Sequence, residues 1–182
     1  ESTAVADNII LTASATNGVD TITGFAAGGG ADTVTLVAAD TKVGTGTGSA
    51  VVGSANAALV AGAAIWDGTS AKFDVDTHDV GEIETTLSAN GDLDKAGVTD
   101  GTELLKALSS NTTASTGIKT NAGSAAATDD MYILAYQDGK AFLYNAIDTS
   151  GNGNYEASEI TLVGIFEGIT ANLFATGDFL IP

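Results

Sequence analysis

The sequence predicts a mainly β protein, a β-sandwich or β-roll-like domain, with one short helix at about residues 100–110. Two observations carry this prediction. Short runs rich in β-branched residues recur between Gly, Asn and Asp, which is typical of strands bounded by turns. One stretch near residue 100 places leucines at helical spacing behind N-cap residues. A chain of 182 residues is long enough to bury a core of its own.

The first part of the chain contains several short predicted strands. They cover residues 8–13, 20–25, 32–37, 49–53 and 70–76. The first three share an Asp-x-apolar start, at Asp7, Asp20 and Asp32. We therefore expect a β-strand annex at residues 1–37 and a main β domain at residues 38–182.

The one predicted helix follows an N-terminal capping signal. Asp100 or Thr99 can serve as the N-cap, and Glu103 occupies the capping-box position. The next twenty residues, 111–130, show no periodicity and are predicted to form a loop.

A β-hairpin is predicted around Asp138-Gly139, because this dipeptide favours the two-residue turn in which both residues have positive φ. The turn places Ala135 opposite Phe142 and Leu134 opposite Leu143, so both faces of the hairpin are apolar. Such a hairpin belongs inside a sandwich. A further strand at 160–166 and a helical turn at 170–176 are expected after it.

The stretch "DTSGNGNYEASE", residues 148–159, matches a calcium-binding loop. That pattern requires oxygen ligands at positions 1, 3, 5, 7, 9 and 12 and Gly at position 6. The corresponding residues are Asp148, Ser150, Asn152, Asn154 through its carbonyl, Glu156 and Glu159, with Gly153 at the turn. Three acidic ligands and a partly neutral set indicate weak Ca²⁺ binding, about 10⁻⁴ to 10⁻³ M.

The residues around this loop differ from those of an EF-hand. "KAFLYNAI" before it and "ITLVGIF" after it are predicted strands, which favours a static clamp between strands over a helix-loop-helix sensor. The alternative is a polar connection whose Gly, Asn and Ser residues simply form turns.

The charge of the chain narrows the classes of partner. Six lysines, no arginine and 23 acidic residues give a formal net charge of −17. Nucleic acid and anionic membranes need clustered cations, so neither is expected as a partner. No apolar run reaches the length of about 18 residues that a membrane helix requires, so no membrane insertion is expected.

Other clusters of polar residues give weaker signals. His78 stands among Asp74, Asp76 and Asp79, and either a metal site or a solvated acidic loop fits this pattern. "NGDLDKAG", residues 90–97, resembles half a calcium loop, but Lys95 replaces the turn glycine, which favours a turn before the helix. No serine lies in a nucleophile motif, so we expect no catalytic activity.

Residues 20–36, "DTITGFAAGGGADTVTL", resemble a junction found in RTX-type, or hemolysin-type, calcium-binding proteins exported by type I secretion, a group that includes bacterial surface-layer proteins. The RTX repeat is G-G-x-G-x-D-x-U-x. Gly28, Gly30, Asp32 and Val34 match it, and Gly18, Asp20 and Ile22 match half of another repeat. The resemblance implies that Asp20 and Asp32 are also calcium ligands. The chain contains no tandem array, so a β-roll of stacked calcium sites is not expected.

The C-terminal region, residues 131–182, is similar to that of the same family. Asp178, Phe179, Leu180 and Ile181 resemble the acidic and apolar signal by which such proteins engage the type I secretion machinery. The resemblance implies a secreted, extracellular or cell-surface protein.

The sequence thus predicts a non-catalytic, calcium-binding structural protein, such as a surface-layer, filament or adhesin subunit. We expect it to fold on calcium binding after type I secretion, and to self-assemble or to bind other cell-surface proteins. The alternative is the C-terminal secretion and folding domain of a larger RTX enzyme, such as a serralysin-like protease or a lipase.

Overall fold

Strands and tight turns alternate along the described chain. The computed structural model describes residues 6–12, 18–28, 32–37, 80–86, 90–108, 118–119, 130–171 and 173–180. The strands are β1 (Asn8–Thr12), β2 (Asp20–Ile22), β3 (Thr33–Val37), β4 (Val80–Thr86), β5 (Ile118–Lys119), β6 (Asp130–Gln137), β7 (Lys140–Ile147), β8 (Asn154–Tyr155), β9 (Ile160–Glu167) and β10 (Phe179–Leu180). The described part has one α-helix, α1 (Thr102–Leu108), and two 3-10 helices, Ala157–Glu159 and Thr176–Asp178. The prediction of a mainly β protein with one short helix is confirmed.

The hairpin of β6 and β7 forms as predicted. Asp138 and Gly139 have φ values of 50° and 76°, which is the left-handed conformation that a type I′ turn needs at both positions. Ala135 pairs with Phe142 and Leu134 with Leu143. The register of the hairpin therefore follows from its two-residue turn.

The hairpin lies inside a mixed five-stranded sheet with the order β2-β9-β7-β6-β4. Antiparallel pairs join β6 to β7 and β7 to β9, whereas β2 runs parallel to β9 and β4 parallel to β6. A second sheet has the order β1-β3-β10 and is parallel throughout. The short strands β5 and β8 form an antiparallel pair.

Two hydrophobic cores cover the two faces of the five-stranded sheet. Met131 and Ile133 point towards a core shared with α1, where Leu104 is fully buried. Tyr132 and Leu134, the alternate residues of β6, point towards the three-stranded sheet. Because both faces of the sheet are buried, the sequences of β6 and β7 are almost continuously apolar and do not alternate with polar residues.

Two strand-turn-strand segments, β2–β3 and β9–β10, are stacked on each other in parallel. Ile22 pairs with Phe166 in one sheet, and Val34 pairs with Phe179 in the other. Each segment has a left-handed glycine at the same place, Gly24 and Gly168, both with φ of 78°. Four phenylalanine rings pack between the segments, with neighbouring centroids 5.2 to 5.4 Å apart.

This stacking joins the two ends of the described chain. β2 pairs with β9, and β3 pairs with β10, so strands from residues 1–37 lie in the same sheets as strands from the C-terminal part. The predicted boundary at residue 37 stays a prediction. The strands before it are hydrogen-bonded to β9 and β10 of the C-terminal part.

Several local predictions differ from the structure. The second strand ends at Ile22 and not at residue 25, because Gly24 turns the chain. Residues 80–86 form a strand that the sequence did not predict. At the helical turn predicted for 170–176, a hydrogen bond from Leu173 N–H to Thr170 C=O at 3.3 Å closes a single turn, and a 3-10 helix begins at Thr176. The strands predicted at 49–53 and 70–76 lie outside the described residues. Within the loop predicted at 111–130, the described residues form strands instead, because Ile118–Lys119 pairs with β8 and Asp130 begins β6.

Candidate metal centre

The predicted calcium loop connects β7 to β9 at the edge of the core shared with α1. It begins at Asp148, directly after β7, and ends at Glu159, directly before β9. Halfway along, β8 pairs with β5, and the Tyr155 side chain is fully buried. The loop is therefore flanked by strands, as the sequence predicts, and is anchored in the core at its middle.

Asp148 organises the first half of the loop. Its carboxylate is fully buried, and it accepts hydrogen bonds from the Ser150 hydroxyl at 3.1 Å and from three backbone N–H groups. Those N–H groups belong to Gly151, Asn152 and Gly153, at 2.7, 3.3 and 2.8 Å. A buried carboxylate needs such donors, because burial without them is costly.

The glycines of the loop let the backbone wrap around Asp148. Gly151 and Gly153 have φ values of 67° and 77°, in the region where residues with a Cβ are strained. Gly153 is the glycine that the calcium-loop pattern requires at its sixth position, and it makes the sharp turn that the pattern predicts.

Glu159 closes the loop on itself. One carboxylate oxygen accepts hydrogen bonds from the Thr149 hydroxyl at 2.8 Å and the Ser150 N–H at 2.9 Å, and the other accepts from the Glu156 N–H at 3.0 Å. Burial raises the pKa of Glu159 and these hydrogen bonds lower it, while the charge of Asp148 raises it; the net shift is downward. The negative charge of Asp148 thus opposes the ionisation of Glu159, but the hydrogen bonds outweigh it.

The remaining predicted ligands lie on the exposed side of the loop. Asn152 Nδ2 donates to Glu156 Oε1 at 2.8 Å, and Asn154 N–H donates to Asn152 Oδ1 at 2.8 Å. Asn152 is exposed, and Glu156 is half-buried. All six predicted ligand residues therefore belong to one hydrogen-bonded loop.

The ligand types fit a hard cation such as Ca²⁺, since every side chain in the set offers oxygen. The three carboxylates do not all point to one position. The charge of Asp148 acts on Glu159, whereas the Glu156 carboxylate accepts a hydrogen bond from Asn152 Nδ2. Within the described ranges, no three His, Cys, Asp or Glu side chains lie close enough together to hold a metal ion.

Asp20 and Asp32 are placed apart from this loop, in the stacked strand-turn-strand segments. Asp20 is exposed at the first position of β2. Asp32 is buried and accepts from the N–H groups of Asp7 at 3.0 Å and Ala26 at 2.7 Å. These two hydrogen bonds lower the pKa of Asp32. In the structure, the Asp32 carboxylate joins β1 to the turn before β3.

A second cluster of buried acidic residues was not predicted from the sequence. Glu82 and Asp178 are both fully buried, and the Tyr136 hydroxyl donates to Glu82 at 2.5 Å. Asp178 accepts from the N–H groups of Gly28 at 2.9 Å and Ala175 at 2.8 Å. Burial raises the pKa of Tyr136, and the charges of Glu82 and Asp178 raise it further. Asp178, which the sequence predicts as part of a secretion signal, is followed by Phe179 and Leu180 in the same Asp-x-apolar pattern as Asp32, and this pattern could have indicated its position before a strand. The sequence of β4 offers no such signal for Glu82.

A third acidic centre is Glu103 on α1. The hydrogen bonds from Lys106 at 2.8 Å and Lys95 at 2.7 Å lower the pKa of Glu103 to about 2. Its carboxylate also accepts from the Asp92 N–H at 3.1 Å, so it ties the preceding turn to the helix. Asp100, however, accepts from the Thr102 N–H at 3.0 Å, as an N-terminal cap does. Residues 90–97 form turns, which agrees with the turn interpretation of "NGDLDKAG".

Comparisons of the chain with protein-family models, with curated proteins and with solved structures found no match. None of the helices in the described part is long and apolar enough to cross a membrane. His78 and its acidic neighbours lie outside the described residues.

Proposed function

We propose that this chain is a non-catalytic, calcium-binding structural protein that acts outside the cell and folds when calcium binds. The observation that carries the proposal is the loop from Asp148 to Glu159. It places the six oxygen-bearing residues of the calcium-loop pattern in one hydrogen-bonded loop, with the buried carboxylates of Asp148 and Glu159 at its two ends. A divalent cation bound between these two carboxylates would offset their like charge.

The role of the ion follows from the elements that the loop joins. β7 and β9 are adjacent strands of the five-stranded sheet, and Tyr155 anchors the loop in the core. Calcium bound here would hold two core strands in register. It would therefore act on the stability of the domain and not on the position of a mobile helix.

The net charge supports the same mechanism. A chain with charge −17 resists compaction through self-repulsion. Millimolar calcium outside a cell would neutralise carboxylates and favour folding, because binding to the native state alone stabilises that state.

The test of the loop is a calcium titration by calorimetry on the wild type and on Glu159→Gln. The wild type should bind with a dissociation constant of about 10⁻⁴ to 10⁻³ M. Glu159→Gln removes one of three ligand charges and should weaken binding about tenfold or more. The matched control is Glu167→Gln, which loses the same charge at an exposed position of β9. Equal calcium binding by all three proteins would refute the loop as the site.

Export by the type I machinery through Asp178, Phe179, Leu180 and Ile181 is part of the proposal. Asp178 and Phe179 are buried in the folded domain, so secretion machinery would have to recognise them before the chain folds. This order agrees with folding after export. It also agrees with a secreted protein that then self-assembles or binds other surface proteins.

One observation favours the alternative, a C-terminal secretion and folding domain of a larger RTX enzyme. Among the described strands, β1 and β2 are the outermost members of their sheets, and Ile9 and Ile22 are only partly buried there. A preceding parallel array could continue both sheets at this end. The test is the sequence encoded upstream of Glu1. A catalytic domain there would support this alternative.

A further inference from the structure

The Asp148–Glu159 loop contains an Asn-Gly pair, Asn152-Gly153, on its outer side. Asn152 is exposed and Gly153 is half-buried. Glycine has no Cβ to keep its backbone nitrogen away from a neighbouring side chain. An asparagine followed by glycine is therefore especially prone to lose its side-chain amide as ammonia. At this pair the chain can change its own chemistry without an enzyme.

The reaction is a ring closure followed by hydrolysis. The Gly153 nitrogen attacks Cγ of Asn152 and forms a new N–Cγ bond. The Cγ–Nδ2 bond breaks, and Nδ2 leaves as ammonia with the proton from the Gly153 nitrogen. Water then opens the cyclic imide. Opening at one carbonyl gives aspartate at position 152, and opening at the other gives isoaspartate, in which the main chain runs through Cγ.

The folded loop restrains the attacking nitrogen. The Gly153 N–H donates to Asp148 Oδ2 at 2.8 Å, and the Asp148 carboxylate is fully buried. The nitrogen must give up its proton to attack, and a negative charge beside it opposes that loss. The hydrogen bond to Asp148 thus keeps Gly153 unreactive while the loop is closed.

The folded loop also restrains the amide that would be lost. Asn152 Nδ2 donates to Glu156 Oε1 at 2.8 Å. Asn152 Oδ1 accepts from the Asn154 N–H at 2.8 Å and from Asn154 Nδ2 at 3.1 Å. Ring closure draws Cγ onto the backbone and releases Nδ2, so it breaks these contacts. Because both reacting groups are held, deamidation requires the loop to open.

A second Asn-Gly pair, Asn90-Gly91, is held inside the core. Gly91 is buried, and Gln137 Nε2 donates to its C=O at 2.7 Å. A Cβ at Gly91 would lie 2.1 Å from the backbone oxygen of Glu103, so this glycine packs directly against α1. Surface loops open at a lower free energy than core elements, so the pair at Asn152 should open first. Asn17 of the third pair in the sequence lies outside the described residues.

We propose that Asn152 is a deamidation site controlled by the loop, protected while the loop is closed and reactive when it opens. The calcium-loop pattern accepts Asn or Asp at position 5, so the aspartate product keeps an oxygen ligand. It also adds a carboxylate to those of Asp148, Glu156 and Glu159. Calcium affinity depends on the number of ligand charges, so this product is a stronger calcium site. The isoaspartate product lengthens the main chain beside Gly153 and disrupts the turn.

The effect on calcium rests on the proposed function, whereas the reaction itself needs no cation. The extent of modification depends on how long the chain spends with the loop open, before it folds or without a bound ion. Deamidation is thus a way to change the strength of the site after synthesis.

The first test compares Asn152 with Asn90 in the same molecule. Wild-type protein is incubated at mildly alkaline pH, folded and in urea, and peptide mass spectrometry locates the modified residues. In urea the two asparagines should react at similar rates, because glycine follows both. In the folded protein Asn152 should react about tenfold faster than Asn90 or more. Equal protection of the two sites, or no reaction at Asn152 in either state, would overturn the proposal.

The second test removes one restraint. Glu156→Ala deletes the acceptor for Asn152 Nδ2 and should speed up deamidation at Asn152 about threefold, with little change at Asn90. Glu156→Gln, the matched control, keeps an acceptor oxygen and should stay close to the wild type. Protection of Asn90 verifies that each variant is folded. If Glu156→Ala does not fold, Ser150→Ala, which loses a donor to Asp148, should speed up the reaction in its place. An unchanged rate at Asn152 in a folded variant would refute the control by the loop.

Calcium separates this inference from the proposed function. Asn152→Asp reproduces the aspartate product, and calorimetry should show calcium binding about fivefold tighter than in the wild type. Equal or weaker binding would overturn the claim that deamidation strengthens the site. Millimolar calcium should slow deamidation of Asn152 in the wild type. If calcium has no effect while Glu156→Ala still speeds up the reaction, the deamidation site stands and the calcium proposal fails.

Discussion

The carboxylates of this acidic chain are used to hold the backbone together. Four acidic side chains are buried, and each accepts hydrogen bonds from at least two backbone N–H groups: Asp32, Asp148, Asp178 and Glu159. Hydrogen bonds to an ionised acceptor are about twice as strong as neutral ones. Acidic residues that contribute to the large negative charge of the sequence thus stabilise turns and strand ends through hydrogen bonds to the backbone.

Part of this could be predicted from the sequence. The calcium-loop pattern singled out Asp148 and Glu159 as ligands and Gly153 as the turn glycine because their spacing is local; calcium binding by them stays a prediction, and their hydrogen bonds to backbone N–H groups come from the structure. The burial of Glu82 beside Tyr136 could not be predicted, because these residues are 54 positions apart and meet only through the pairing of β4 with β6. The direction of the Glu156 side chain likewise depends on its Asn152 partner.

At the level of single residues, Glu103→Gln should destabilise the protein by about 1 to 2 kcal/mol at pH 7, since Glu103 carries two charge-assisted hydrogen bonds. Folding lowers the pKa of Glu103 from 4.5 to about 2. Its contribution is therefore complete above pH 4.5 and is lost as the pH falls towards 2. Urea unfolding of both proteins across this range measures the difference.

The control for this prediction is Glu167→Gln, whose carboxylate lies 3.7 Å from Lys140 on the surface. We expect this variant to change the free energy of unfolding by less than about 0.5 kcal/mol. A Glu103→Gln deficit that stays constant down to pH 2 would show that the lysine contacts do not stabilise the protein through charge.

The secondary-structure elements differ in how far local sequence determines them. The β6–β7 hairpin was predicted with its register because Asp138-Gly139 determines the turn and the apolar runs determine the faces. The strand β4 was missed because "VGEIETT" mixes glycine with two glutamates and reads as polar. β10 has two residues and exists only because β3 offers it a parallel partner.

Equivalent glycines allow a direct test of the stacked strand-turn-strand segments. A Cβ at Gly24 or Gly168 would meet no atom within 4 Å, but both residues have φ of 78°. Gly24→Ala and Gly168→Ala should therefore each destabilise the domain by about 1 kcal/mol through backbone strain alone. Thermal unfolding measures both losses.

Asparagine distinguishes strain from other causes at these two positions. Asn tolerates the left-handed region better than Ala, so Gly24→Asn and Gly168→Asn should recover part of the stability. If Ala and Asn are equally harmful, or if only one of the two positions responds, the segments are not equivalent.

For the whole molecule, the parallel pairing of distant segments is the feature that sequence patterns could not supply. β1, β3 and β10 form one sheet although about 140 residues separate β3 from β10. Local periodicity identifies a strand but not its neighbour. The predicted mainly β class was confirmed, whereas the three sheets and two cores of the described residues were found only in the structure.

The central claim is that calcium stabilises the fold. The most direct measurement is thermal unfolding by circular dichroism in EGTA and in millimolar calcium at equal ionic strength, with magnesium as a control. With calcium at about ten times its dissociation constant, the melting temperature should rise by about 3 to 6 °C. Magnesium should raise it less, because Mg²⁺ demands a stricter octahedral geometry. The same melting temperature and the same spectrum in EGTA and in calcium would contradict the claim.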